Sequence, residues 1–142
     1  MSRLTKRVTA LAAAALATAV IILGPGAPAN AADRSATCSV GSNYFGRGDV
    51  WYTYTGGYDY IDYYEYTQQN GGPKTDVRIQ QYSDSTIIYQ WVDDAIPHYA
   101  WESHNPSQTV RIIGSAAAKT LFRFAFDQFF DDPICSAITT TW

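Results

Sequence analysis

The sequence predicts an all-β domain: a single small antiparallel β-sandwich, immunoglobulin-like or Greek-key, with a small β-barrel as the alternative. Three observations carry that prediction. Apolar residues recur with a period of two, in runs closed by turn residues every 8–15 positions. No segment sustains a helical period, and no βαβ spacing occurs. The two cysteines, Cys38 and Cys135, lie near the ends of what remains after an export signal is removed.

The first 31 of the 142 residues read as a cleavable signal peptide. Arg3, Lys6 and Arg7 supply a positive n-region, Val8 to Leu23 an apolar run, and Gly24-Pro25-Gly26 a helix break. Ala29-Asn30-Ala31 presents small residues to a signal peptidase. The apolar run is short for a bilayer core, so no stable membrane insertion is expected after cleavage. The product is expected to be secreted and extracellular. In that oxidising compartment an even cysteine count reads as one structural disulfide, Cys38–Cys135. Residues 32–37 are expected as a short flexible tail, and 38–142 as the disulfide-closed domain.

The elements follow in order. A short strand is expected at Cys38–Val40, and Gly46-Arg47-Gly48-Asp49 reads as a turn before a Val50–Tyr54 strand closed by Gly56-Gly57. Tyr58–Thr67 is the next strand, closed by Asn70-Gly71-Gly72-Pro73. Val77–Tyr82 and Thr86–Val92 flank a hairpin connection at Ser83-Asp84-Ser85. The second of these is apolar on both faces, which suits a central strand. One or two helical turns are expected over Ser115–Lys119. Strands over Thr109–Ile113, Thr120–Phe126 and Ile134–Trp142 complete eight. Parity proposes Val77 with Ile79, Val110 with Ile112, and Phe122, Phe124 and Phe126 as inward rows. For the last strand parity leaves open whether Cys135 or the Ile134, Ile138 and Trp142 set faces in.

Charge narrows the partners. Removing Arg3, Lys6 and Arg7 leaves 7 basic against 13 acidic residues, a net charge of −6. Phosphate neutralisation needs clustered Lys and Arg, so nucleic acid is not an expected partner. No cofactor and no metal is expected: neither cysteine has neighbouring ligands, His98 and His104 are six apart, and Asp131-Asp132 alone makes no cage.

The candidate binding residues come from two stretches. In Tyr58-Asp59-Tyr60-Ile61-Asp62-Tyr63-Tyr64-Glu65-Tyr66 an unbroken strand puts Tyr58, Tyr60, Tyr64 and Tyr66 on one face with Asp62 between them. Four buried phenols would each need a hydroxyl partner, so a half-exposed face is expected, extended by Tyr52 and Tyr54. The second stretch is the long connection Asp93–Ser107, which offers Tyr99, Trp101 and Glu102. In Asp127–Pro133, one of Phe129 and Phe130 is expected in the core and the other at the surface. No nucleophile has a placed base, so the expectation is a non-enzymatic binding module. Its first-choice ligand is an extracellular protein, with the domain a subunit or adaptor of an assembly. A polysaccharide of the cell wall is the alternative.

One resemblance points elsewhere. Glu65-Tyr66-Thr67, Lys74, Arg78 and His98-Tyr99-Ala100 resemble the ordered Glu, Arg, His motif of the small, acidic, Tyr-rich secreted guanyl-specific ribonucleases of streptomycetes. The resemblance implies Glu65 as base, Arg78 as phosphate clamp and His98 as acid. It covers about thirty-five residues. The chain has no helix-length amphipathic segment between Cys38 and Glu65 to match that family's helix, and some forty residues follow His98, where the family nearly ends.

Overall fold

The computed structural model describes the backbone from Ala31 and the side chains from Asp33 to Trp142; residues 1–30, all but the last of the expected signal segment, lie outside the described residues. Within the described residues nine strands form two antiparallel sheets packed face to face. They are β1 (Ala31–Val40), β2 (Tyr44–Thr55), β3 (Tyr58–Gln69), β4 (Asp76–Ser83), β5 (Thr86–Asp93), β6 (Glu102–His104), β7 (Arg111–Ile113), β8 (Ala118–Ala125) and β9 (Ile134–Ile138). The first sheet runs β1-β2-β3, and β6 and β7 share the far side of β3. The second runs β5-β4-β8-β9. The sandwich expectation holds, and the sheets do not close into a barrel.

The inner rows follow the parity argument. Val77, Ile79, Phe122, Phe124 and Phe126 are fully buried, as are Val110 and Ile112 to within a few per cent. In β9 it is Cys135 and Ala137 that face in, while Ile134 and Ile138 stay about half exposed. Gly56 and Gly57, both at positive φ, make the two-residue turn between β2 and β3, the backbone that the twist of a tight hairpin favours. A side chain there would be strained.

Four expectations are corrected. Residues 32–37 are not a tail: they belong to β1, paired residue for residue with β2, with Ala36 buried. Gly46-Arg47-Gly48-Asp49 is not a turn but the first half of β2. The rings of Phe124 and Phe122 from the opposite sheet lie where a β-carbon on Gly46 or Gly48 would sit. Glycine therefore lets two phenyl rings rest on bare backbone, and packing overrides its low strand propensity. The Ser115–Lys119 segment is a turn leading into β8 rather than a helix, with Ala118 fully buried. Finally, β5 is an edge strand rather than a central one. It bulges at Ile88, between the Gln81–Tyr89 and Tyr82–Ile87 pairs, which leaves Ile87 exposed, and Val92 lies on the outer face with Gln90.

A sandwich has two open sides, and each is closed by a different chemistry. On one, the Cys38–Cys135 disulfide joins edge strand β1 of the first sheet to edge strand β9 of the second. On the other, His104 of β6 stacks on Trp91 of β5 with ring centres 3.7 Å apart, and its Nε2 shares a 2.6 Å hydrogen bond with the Tyr89 hydroxyl. The Tyr66 hydroxyl donates to Asp93 at 2.8 Å beside it. Burial holds the His104 pKa below its usual value, against the opposite pull of Asp93.

Two outcomes follow. Gly48→Ala forces a β-carbon into the Phe122 ring and should cost about 1–3 kcal/mol of stability by denaturant titration. For His104, the folded state holds its proton less tightly than the unfolded chain. The stability it contributes is complete above the unfolded pKa of about 6.5 and is lost as pH falls from there towards the lowered folded value. Thermal melts of the wild type should therefore weaken as pH falls below about 6.5, and His104→Gln should flatten that dependence.

Candidate functional site

The tyrosine stripe is split. Trp51 of β2 pairs with Tyr63 and Tyr52 with Ile61, so Asp62 is the extra residue of a β-bulge. One inserted residue exchanges the two faces for everything beyond it. Before the bulge Asp59 and Ile61 point inward, leaving Tyr58 and Tyr60 outside; beyond it Tyr64 and Tyr66 are 0% and 1% exposed. Tyr64 and Tyr66 are thus core residues, contrary to the expected single face. Tyr52 is also buried, stacked on Trp142 at 4.8 Å. Tyr64 lies parallel to Tyr89 at 5.9 Å, and its hydroxyl finds no protein partner. Burial raises the pKa of both core phenols, and for Tyr66 the neighbouring Asp93 adds to the effect.

What replaces the stripe is a mixed aromatic and carboxylate face on the outside of the first sheet. Tyr63 moves outward and lies nearly parallel to Trp51, with centres 5.6 Å apart and planes 17° from parallel. Trp51 Nε1 donates to Glu65 Oε2 at 3.0 Å, and Thr53 Oγ1 donates to Asp62 Oδ2 at 2.9 Å. Tyr58 and Tyr60 meet edge to face at 6.4 Å, and the Arg111 guanidinium of β7 lies 5.0 Å over the Tyr58 ring. Arg47 bonds Asp49 at 3.2 Å and lies 5.3 Å over the Trp101 ring, which is half exposed. Burial raises the Asp49 carboxyl above its usual range despite Arg47. Trp51 and Tyr63 are the residues that sequence parity missed; the signal that marks them is the bulge, which no residue in the stretch advertises.

A second surface lies at the end of the sandwich where three loops meet. The end of β3 and the β3–β4 loop hold the β5–β6 loop through Tyr99 N, which donates to Gln68 O at 2.9 Å, and Tyr99 Oη, which donates to Asn70 Oδ1 at 2.7 Å. The β3–β4 loop holds the β8–β9 loop through Gly72 N to Asp127 O at 2.8 Å. That last loop is pinned further by Asp127 N to Thr75 Oγ1 at 3.1 Å and Gln128 N to Asp132 Oδ1 at 2.9 Å. On it stand Phe129 and Phe130, 92% and 91% exposed, packed edge to face at 4.9 Å. Both are outside, where one was expected in the core, because Phe126 already fills the adjacent core position against Tyr44. Tyr99 is exposed nearby, and an open cleft of about 530 Å³ lies between Asn70, His98, Asp127 and Phe129.

The three residues that the ribonuclease resemblance implies do not converge. Glu65 lies on the outer face of the first sheet, bonded to Trp51. Arg78, between the inward Val77 and Ile79 of β4, projects from the outer face of the second sheet. His98 lies at the loop end, beside Gln68. The body of the sandwich separates Glu65 from Arg78. Glu102, on β6, pairs with Tyr66 and is half-buried. Among the described residues no three His, Cys, Asp or Glu side chains gather as metal ligands, and no helix is long and apolar enough to cross a membrane.

Comparison with protein-family models, with curated proteins and with solved structures finds no match for the chain.

The two kinds of tyrosine should differ in stability. Tyr64→Phe removes a buried hydroxyl without a protein partner and should stabilise by up to about 1 kcal/mol. Tyr60→Phe, on the outer face, should leave the urea midpoint unchanged within about 0.5 kcal/mol.

Proposed function

We propose that this is a secreted, non-enzymatic binding module that engages an extracellular protein through the three-loop end of the sandwich, as a subunit or adaptor of an assembly. The observation that carries this reading is the Phe129–Phe130 pair. Burying a phenylalanine fully is worth about 1.5–3 kcal/mol relative to leaving it exposed. Two such rings on the surface therefore hold a large part of a micromolar binding free energy in reserve. Hydrogen bonds to Thr75, Gly72 and Asp132 already order the loop, so little further entropy is lost when a partner covers it. Rigid loop anchors at one end of a sandwich are a general solution to protein recognition.

The surroundings state what the partner offers. Asp127, Asp131 and Asp132 flank the two rings, and no basic residue lies in that loop. An apolar pocket with a cationic rim complements them. An anionic bilayer surface does not. Secretion supports the reading through the sequence of the first 31 residues and through the Cys38–Cys135 disulfide, which persists in oxidising compartments.

The test is recovery of tagged protein from culture supernatant, with cross-linking mass spectrometry on the wild type, Phe129→Ser/Phe130→Ser and Asp131→Asn/Asp132→Asn. A stoichiometric partner should be lost from the first double variant and become weaker and less salt-sensitive in the second. A partner retained equally by all three chains would contradict the proposal.

A further inference from the structure

We infer a second binding site, independent of the loop end: the outer face of the first sheet is a stacking site for an uncharged polysaccharide. Sugars present two chemistries at once, a C–H-rich ring face and a rim of hydroxyls. A site for them needs aromatic faces fixed in orientation and hydrogen-bond acceptors set beside them.

This face has both. Two aromatic pairs, Trp51 with Tyr63 and Tyr58 with Tyr60, lie along β2 and β3 on either side of the Asp62 bulge. From Tyr58 to Tyr63 is about 15 Å of strand, room for several sugar rings laid along it. The carboxylate of Asp62 lies between the pairs, and that of Glu65 flanks the Trp51–Tyr63 pair on its far side, opposite Asp49. Each is oriented through a single oxygen: Asp62 Oδ2 accepts from Thr53 Oγ1, and Glu65 Oε2 accepts from Trp51 Nε1. Those bonds direct the second oxygen of each carboxylate to other donors, and a bound hydroxyl is one. The Trp51 bond does two things, since it fixes the indole plane and the Glu65 rotamer together.

Charge decides the class of polymer. The outer face carries Asp33, Asp49, Asp62 and Glu65 against Arg47 and Arg111. Arg47 is committed to Asp49 and Arg111 to the Tyr58 ring. An anionic chain meets a net negative surface there, so repulsion selects an uncharged one. The same balance disfavours nucleic acid, whose bases would also stack.

The test uses the signal-free chain with its disulfide intact. Retention is measured on insoluble cellulose and chitin, and Trp fluorescence is titrated with cellohexaose, chitohexaose and alginate. The expected result is binding to at least one uncharged saccharide and none to alginate. Tyr60→Ala and Glu65→Gln should each weaken it by about tenfold, with melting temperature preserved. Phe129→Ser/Phe130→Ser should leave it unchanged, which separates this site from the protein-binding proposal. Absence of binding to every uncharged probe would overturn the inference. So would equal binding of alginate, or affinity indifferent to Tyr60 and Glu65.

Discussion

A single inserted residue sets the character of the whole molecule. At Asp62 the long hairpin of β2 and β3 slips by one position, and the alternation of side chains reverses. Below the slip the strand gives the core Asp59 and Ile61; above it, Tyr64, Tyr66 and Gln68. Without it, Tyr64 and Tyr66 would share the surface with Tyr58 and Tyr60, and the space beside Phe122 and Tyr89 would be left to Tyr63 and Glu65. The bulge thus fills the core with phenols and brings Trp51 and Tyr63 together outside.

The rest of the architecture accommodates that arrangement. Two large phenols inside a thin sandwich need compensation across the layer, and β2 supplies it by presenting Gly46 and Gly48 to Phe124 and Phe122. The open sides are then sealed unequally. The disulfide closes a loop with a sequence separation of 97 and constrains the unfolded chain, worth about 4–5 kcal/mol at most in the chain-entropy view. The opposite side relies on the His104, Trp91 and Tyr89 stack, a noncovalent closure sensitive to the charge of one imidazole. Covalent and titratable closures therefore face each other across one core.

Much of the fold was legible in the sequence because alternation reports burial directly. Phe122, Phe124 and Phe126 stand at every second position and all three are buried. Likewise two cysteines, one near each end of the part that follows the expected export signal, imply the bond that the structure forms. The sites were less legible, and for identifiable reasons. A bulge has no residue signature in Ile61-Asp62-Tyr63, so parity carried through it put Tyr64 and Tyr66 on the wrong side. Glycine argues locally for a turn, and only the Phe122 and Phe124 rings, from a strand more than seventy residues away, explain why Gly46 and Gly48 lie in β2. Strand order is likewise absent from local pattern, which is why β5 with its two apolar faces reads as central. Residues 32–37 are polar enough to read as a tail, yet β2 is long enough to pair with them.

The account of both surfaces depends on which tyrosines are wet, and chemical modification reads that directly. Brief treatment of the folded, oxidised protein with tetranitromethane, followed by peptide mass spectrometry, reports the accessibility of each phenol. Nitration should occur at Tyr60, Tyr63 and Tyr99, while Tyr64 and Tyr66 stay unmodified until the protein is unfolded. Modification of Tyr64 and Tyr66 in the folded state at the rate of Tyr60, with Tyr63 protected, would mean that the strand runs without its bulge and that the Trp51–Tyr63 face does not exist.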